Sequence, residues 1–253
     1  MTVFKNVLLS FFSLIFLLNS ELAFASFYSE IHGYLIGGGG GYTRIKDTRN
    51  VWLAYTPEPG LENEFVTDVK RHQTKMVGTG FEKHFPKQIM NLDSALGLEI
   101  DYLSNNSLSG IVRPMINVAP DFDTLNFSYH FNSLSLYVTG KLSKQILLPN
   151  LGAYIQGGIG RTMNRLTRYS ERFQNDTSAA PMIAPFGDGS NSNFGYFLGF
   201  GFSSKIQATQ FSVGYRYVFS GSAEFKPSPI QQTVNTLHFS PVTHQFLVVS
   251  VMI

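Results

Sequence analysis

Two consecutive segments of this chain alternate between large apolar residues and small or polar ones, which limits them to β-structure. Every second position is aromatic or aliphatic: Phe194, Tyr196, Leu198, Phe200 and Phe202 in the first segment, and Phe211, Val213, Tyr215, Tyr217 and Phe219 in the second. Successive side chains of a strand point to opposite faces, so each segment predicts a strand with one apolar face. Only residues 207–209 separate the two segments, which favours an antiparallel hairpin.

The same alternation recurs in residues 76–85, 92–103, 151–164 and 243–253. Together with residues 33–45 and the longer segment 125–142, these make eight predicted strands. Long polar connections, over residues 46–74, 105–124, 167–193 and 221–236, alternate with short turns, which is typical of a barrel with all its long loops at one end. Charged residues make up 14% of the chain, against about 25% in typical soluble domains. We therefore predict an all-β, eight-stranded antiparallel up-and-down transmembrane β-barrel whose apolar face meets lipid.

The first 25 residues have the organisation of an export signal. Lys5 precedes an apolar run from Val7 to Leu18, and Ala23-Phe24-Ala25 forms a small-x-small cleavage site. The run is shorter than the ~20 apolar residues that a membrane-spanning helix needs. We predict a signal peptide over residues 1–25 and the barrel over residues 26–253. The chain has no cysteine and a net charge of +2, so thiolate metal sites are excluded and nucleic acid is not an expected partner.

Five consecutive glycines, Gly37 to Gly41, invite comparison with a phosphate-binding loop. Such a loop needs glycines at fixed offsets followed by a Lys-Ser/Thr pair or a helix, and neither follows here. The stretch YLIGGGG at residues 34–40 instead matches YIQGGIG at residues 154–160. Glycine in a strand leaves room for a large neighbouring side chain, so we interpret the run as a crowded, strongly curved first strand. The pattern leaves open which face Tyr34 takes.

The segment 125–142 changes phase partway along its length. Leu125, Phe127, Tyr129 and Phe131 occupy odd positions, whereas Leu134, Leu136, Val138 and Leu142 occupy even ones. A one-residue slip exchanges the faces of a strand, so an unbroken strand cannot hold both sets in lipid. We expect either a β-bulge near Asn132 and Ser133 or an outer half that has already left the membrane.

The predicted inner face carries charges that are costly to bury alone. Its members are Glu82, His84, Asp93, Glu99, Asp101, Lys141, Lys205 and Arg216. Glu99 and Arg216 lie about halfway along strands on opposite sides of an eight-stranded ring, whose interior is just wide enough for side chains to fill. We predict a lumen polar network of Glu82, Glu99, Asp101 and Arg216 that closes the barrel. A gated narrow path is the alternative.

Catalytic and metal-binding patterns are weak in this chain. The six histidines show no spacing such as H-E-x-x-H. His130 lies near serines in SYHFNS, but no G-x-S-x-G nucleophile elbow occurs, so we interpret it as a polar residue inside the barrel. We predict no enzymatic activity, no catalytic residues, no metal and no cofactor.

Two features at the long-loop end point to partners. Arg161, Arg165 and Arg168, followed by Arg172, either bind lipopolysaccharide phosphates or are simply solvated. The first long loop contains Trp52, Tyr55, Pro57, Pro59 and Phe65. This is more exposed aromatic material than a passive connection needs, which favours adhesion to a host or neighbouring surface.

Taken in order, these segments resemble the OmpA-like and opacity-type family of small, porin-like eight-stranded outer-membrane barrels. The resemblance rests on Ala23-Phe24-Ala25, the strand GYLIGGGGGY, its echo AYIQGGIG, the pair FGYFLGFGFSS and QFSVGYRYVF, and the apolar last strand. It implies a barrel in a Gram-negative outer membrane, in contact with outer-membrane lipid and lipopolysaccharide, with surface loops serving membrane integrity or adhesion. It also implies insertion by the barrel assembly machinery; the last residue, usually Phe in such barrels, is Ile253 here. We expect a monomer. A small-solute pore, a lipid A-modifying barrel enzyme and a soluble lipocalin-like barrel are the alternatives.

Overall fold

The computed structural model describes residues 31–45, 48–52, 62–67, 72–85, 91–113, 125–146, 150–173, 186–228 and 236–252. They form β1 (Ile31–Ile45), β2 (Thr48–Trp52), β3 (Glu62–Thr67), β4 (His72–His84), β5 (Asp93–Arg113), β6 (Leu125–Gln145), β7 (Leu151–Phe173), β8 (Phe186–Gly187), β9 (Gly189–Ile206), β10 (Thr209–Pro227) and β11 (Leu237–Met252). These residues include no helix of the length and apolarity needed to cross a bilayer. The predicted signal peptide lies outside the described residues.

Eight of the strands close into one antiparallel ring. In the order β1, β4, β5, β6, β7, β9, β10 and β11, each strand pairs with the next, and β11 pairs with β1. The connections from β4 to β5, β6 to β7 and β9 to β10 are short and lie at one end of the ring. The predicted eight-stranded antiparallel up-and-down barrel is confirmed.

The strands are much longer than a membrane requires. β5 and β6 have 21 residues each and β7 has 23, whereas a tilted strand crosses a bilayer in about 9–11 residues. Beyond β1 and β4 the wall continues through β2 and β3, since β3 pairs with β5 and β2 lies beside β11. β8 pairs with the end of β10. The segments 105–124 and 167–193, predicted as long loops, are therefore partly strand.

Single extra residues interrupt the strand pairing partway up the barrel, among them one on each of β1, β5 and β7. β1 gains one residue against β11 between Gly39 and Tyr42, and β5 gains one against β6 between Asn105 and Leu108. β7 bulges at Arg168, whose φ is 56°. We call the part of the barrel between the short turns and this level the lower barrel, and the remainder the upper barrel. On β6 the boundary falls near Asn132.

Strand β6 shows that apolar side chains change faces at this boundary. Leu125, Phe127, Tyr129 and Phe131 are buried in the lumen, whereas Leu134, Leu136 and Val138 point outward and are exposed. The alternation of faces nevertheless continues along β6 without a slip. The bulge predicted near Asn132 and Ser133 is therefore wrong. The burial pattern fits the other expectation, in which the outer half of the strand has left the membrane, because the outer half of β6 keeps its apolar side chains inside the barrel.

The outer surface of the lower barrel is an apolar belt. Its exposed members include Leu35, Val77, Phe81, Leu96, Ile100, Leu134, Ile155, Ile159, Phe194, Leu198, Phe200, Val213, Leu247 and Val249. In the upper barrel, the exposed side chains that the structure describes are polar or small instead, for example Arg113, Asn126, Arg172 and Lys226. The two halves thus present opposite surfaces to their surroundings.

An aromatic and aliphatic core fills the lumen of the upper barrel. Its members are Phe65, Leu108, Val112, Leu125, Phe127, Tyr129, Phe131, Leu166, Phe186, Ala223, Phe225, Leu237, Phe239 and Val242. Tyr129 stacks on Phe127 and Phe239, with ring centroids 5.9 and 5.3 Å apart. Burial raises the pKa of Tyr129 well above its ordinary value, so this ring stays uncharged. Phe65, predicted as an exposed loop aromatic, is buried because β3 belongs to the barrel wall.

The glycine run makes room for a ring inside the barrel. Tyr34 faces the lumen and Leu35 faces outward, which settles the open face of β1. Gly38 and Gly41 both face Phe246 of β11, and a Cβ added at Gly38 would lie 3.4 Å from the Phe246 ring. A Cβ added at Gly41 would overlap that ring, so the bulge brings Phe246 directly against the backbone of β1.

Gly41→Ala is expected to destabilise the folded barrel by about 1–3 kcal/mol, the usual cost of overpacking a filled interior. Gly39→Ala is the matched control, because the site where its Cβ would lie is open and exposed. Urea unfolding of both variants in phosphatidylcholine vesicles measures the difference. Equal stability of the two variants would contradict the assigned faces of β1.

Candidate functional site: the lumen charge cluster

Arg216 of β10 crosses the lumen to two carboxylates of β5. Its Nη1 donates to Glu99 Oε1 and, over 3.0 Å, to Asp101 Oδ2, while Nη2 donates to Glu99 Oε2 over 3.2 Å. The exposed fractions of the side chains are 2% for Arg216 and 0% for both acids. We call these three residues the lumen charge cluster. An arginine suits this position because its planar fork can donate to two oxygens of one carboxylate at once.

Two aromatic side chains complete the surroundings of the cluster. The Tyr34 hydroxyl of β1 donates to Glu99 Oε2 over 2.6 Å. The guanidinium carbon of Arg216 lies 3.9 Å from the ring centroid of Phe197 on β9, a distance typical of a cation–π contact. Charge, hydrogen bonds and ring faces therefore compensate the loss of water around three ionisable groups.

The strand order explains why these side chains meet. β5 and β10 are opposite each other in the ring, and the interior of an eight-stranded barrel is narrow enough to be spanned by side chains. Glycines of β4 leave the necessary space. A Cβ at Gly78 would overlap Asp101, and a Cβ at Gly80 would lie 2.6 Å from the Tyr34 ring.

Glu82, the fourth residue of the predicted network, belongs to a separate cluster nearer the short turns. Its Oε1 accepts hydrogen bonds of 3.0 Å from Lys141 Nζ and 3.0 Å from His84 Nε2. Lys141 also lies 5.4 Å from the ring centroid of Tyr154. Asp93 and Lys205, predicted to lie inside, are exposed at the short-turn end. The structure thus divides the predicted network into two ion-pair clusters at different heights.

Hydroxyl and amide groups separate the lumen charge cluster from the aromatic core above it. Ser135 donates to Thr162 over 3.2 Å, and Asn164 Nδ2 donates to the carbonyls of Ser220 and Ser222 over 2.7 and 2.6 Å. Beside the two ion-pair clusters lies a cavity of about 10 Å³, which holds at most about one water molecule. Four successive layers of side chains therefore obstruct the lumen over the part of the barrel that the structure describes.

The arginines predicted to contact lipopolysaccharide all lie on β7, which continues beyond the strand predicted over residues 151–164. Arg161 points outward at the level of its cross-strand partners Leu136 and Phe194, Arg165 points outward above Met163, and Arg168 is exposed at the bulge. Arg161 donates to Ser192 Oγ, and Arg165 Nη2 lies 3.7 Å from Asp188 Oδ2. The backbone amide of Arg168 donates to the same carboxylate over 3.3 Å.

Several other sequence interpretations change in the structure. His130 lies on the outward face of β6, because the lumen side of that strand carries the odd positions. The side chains of Trp52, Tyr55, Pro57 and Pro59 lie outside the described residues. The sequence analysis missed Tyr34 and Phe197 as partners of the lumen charge cluster. The pattern leaves the face of Tyr34 open, and Phe197 is a single large residue in a row of inward glycines, with no sign of its partner.

Comparison with known proteins identifies no family. No family model and no curated protein matches the chain. Neisserial surface protein A resembles it with a TM-score of 0.37 and 9% identity, over 87% of this chain and 96% of that one. The translocator domain of the autotransporter NalP from Neisseria meningitidis has a TM-score of 0.22 and 12% identity, over 88% and 86%. A Pseudomonas aeruginosa FadL homologue has a TM-score of 0.22 and 11% identity, over 88% and 89%. The fold assignment rests on the strand pairing described above.

Proposed function

We propose that this protein is an integral β-barrel of a Gram-negative outer membrane whose lower barrel spans the bilayer and whose upper barrel stands above it as a closed tower. The apolar belt is the observation that carries this proposal. Its side chains point away from a lumen that holds buried charges, an arrangement that suits hydrocarbon outside and polar pairs inside. A water-soluble barrel would place the belt residues inside.

The tower favours a structural or adhesive role over transport. A packed core holds the ends of β5, β6, β7 and β10 in fixed positions, and segments connected to a rigid scaffold often carry binding sites. Arg165 and Arg168 lie above the outermost apolar residue of β7, Met163, where lipopolysaccharide phosphates would meet the outer wall, as charge-assisted contacts require. Arg161 lies lower, within the upper part of the belt, and its long side chain would have to extend upward to reach them. The absence of enzymatic activity and the monomeric state remain predictions, as does a host-surface ligand.

The protein is expected to fractionate with outer membranes and to show heat-dependent mobility on gels run in detergent. Refolded into planar bilayers, it should show no channel of the size formed by wide 16–18-stranded porins. The layers of side chains that fill the lumen are the reason to expect both a barrel that resists unfolding in detergent and the lack of a porin-sized channel. Stable porin-like steps would contradict the closed lumen, and a mature chain that is freely soluble without detergent would contradict the membrane assignment.

A further inference from the structure

A groove crosses the apolar belt on one side of the barrel. Its volume is about 1070 Å³, and it runs over β5, β6, β7, β9 and β10. Its floor is the cross-strand pair Gly140 and Gly157, two adjacent outward positions without side chains. Added Cβ atoms there would lie 3.8 Å from Leu96 and 3.4 Å from Leu198, so the backbone is open to a neighbour. A convex barrel wall with side chains at each outward position would present no such depression.

The groove follows the pairing of the strands and slopes through the belt. One edge joins Ser94, Leu142, Ile155, Phe200 and Tyr215, each of which is paired with the next. Ser94 is the second residue of β5, near the short turns, whereas Tyr215 lies six residues beyond the start of β10. Five neighbouring strands span about 19 Å at ~4.8 Å per step. The groove is therefore long and narrow, and it rises from the short-turn rim toward the middle of the belt.

A polar group lies at the low end of the groove. Ser94 is 6% exposed, shares the outward face of Leu96 and lines the groove. Its Oγ has no hydrogen-bond partner among the described residues. A buried hydroxyl without a partner is costly, and an acceptor in the groove would satisfy it.

Positive charge lies beside this end. Lys144 lies two positions beyond Leu142 toward the short turns, exposed on the outward face of β6, and Leu142 is the cross-strand partner of Ser94. Lys144 is therefore at the rim where lipid headgroups begin if the lower barrel spans a bilayer. An apolar stretch, then a hydroxyl donor, then an ammonium group follow the order of acyl chain, ester carbonyl and phosphate in a glycerophospholipid.

We propose that this groove is a docking site for one glycerophospholipid of the leaflet on the short-turn side. One acyl chain lies over Gly140 and Gly157, its ester carbonyl accepts a hydrogen bond from Ser94, and its phosphate lies beside Lys144. This proposal rests on the membrane assignment above. It concerns the leaflet opposite to Arg161 and Arg165, so it is independent of any lipopolysaccharide contact there.

The test uses full-length mature protein refolded into phosphatidylcholine vesicles that contain a small fraction of phosphatidylglycerol with a photoactivatable diazirine on one acyl chain. Crosslinks are expected to concentrate on residues beside Gly140 and Gly157. In Gly157→Leu, which fills the floor, they should fall by about tenfold, corresponding to ~1.4 kcal/mol of lost packing. Gly37→Leu is the matched control, because Gly37 is an outward glycine of β1 with open space around it, and it should retain the crosslinks.

A second pair of variants tests the polar end. Ser94→Ala and Lys144→Gln should each reduce crosslinking without loss of the heat-dependent gel shift that reports insertion. Uniform crosslinking around the belt, unaffected by Gly157→Leu, would overturn the lipid site. So would a dimer in native mass spectrometry that Gly157→Leu separates, since a second copy would then occupy the groove. Failure of the wild type to insert at all would instead overturn the membrane assignment.

Discussion

Arg216→Ala is expected to lower the free energy of unfolding by about 3–5 kcal/mol, the typical cost of removing one partner of a buried ion pair. The change leaves Glu99 and Asp101 without their shared cation in a site from which water is excluded. It also removes the guanidinium that packs on Phe197. Urea unfolding in phosphatidylcholine vesicles, followed by the heat-dependent gel shift, measures the loss.

Arg161→Ala is the matched control, because Arg161 is exposed on the outer face and surface interactions contribute at most about 1 kcal/mol. The combination Glu99→Gln, Asp101→Asn, Arg216→Met should recover much of the lost stability, since the cost arises from charge left uncompensated and not from the absence of an ion pair. The account of the lumen would be wrong if Arg216→Ala were as stable as Arg161→Ala. It would also be wrong if Arg216→Ala opened a porin-sized channel, because the aromatic core still closes the upper barrel.

Phe225→Ala is expected to destabilise the protein by about 3–5 kcal/mol, as large-to-small changes in packed aromatic cores do. The Phe225 side chain is fully buried, and its ring centroid lies 5.5 Å from that of Tyr129 and 5.4 Å from that of Tyr169. Removing it leaves a cavity that β-strands paired on both sides cannot collapse to fill. The same unfolding assay reports the change.

Phe194→Ala provides the comparison, since Phe194 has an exposed fraction of 63% on the belt. Lipid chains can occupy the space that this substitution vacates, so no internal cavity forms and the loss should be clearly smaller. If the two phenylalanines proved equally important, the upper barrel would not contain the packed core described here.

The sequence predicts the eight-stranded ring because apolar residues at every second position show unambiguously, for most strands, which face points outward. Leu96, Leu98 and Ile100 alternate with Glu99 and Asp101, and both sets lie on the predicted faces of β5. The opposition of β5 and β10 then follows from strand order alone, and with it the meeting of Arg216 with the two acids. Which carboxylate pairs with which cation depends on height in the barrel. Glu99 and Arg216 lie about halfway along their strands, whereas Glu82 lies nearer the short turns and therefore pairs with Lys141, against expectation.

The alternation pattern does not reveal the upper barrel, because apolar residues face outward only where hydrocarbon lies outside. In β6 the set from Leu125 to Phe131 faces the lumen instead, so the change resembles a slip of phase in the sequence. Phe65 likewise resembles loop material, because nothing in its sequence shows that β3 extends the wall along β5.

The reversal of apolar and polar faces between the lower and upper barrel is the central claim, and labels on β6 test it most directly. The chain has no cysteine, so single cysteines at Leu136 and Asn126, both outward on β6, can each carry a fluorophore in protein refolded into vesicles. Phospholipids brominated on their acyl chains should quench the label at position 136 strongly and leave the label at position 126 to quenching by aqueous iodide. Quenching of both labels by the brominated chains, or of neither, would contradict the account.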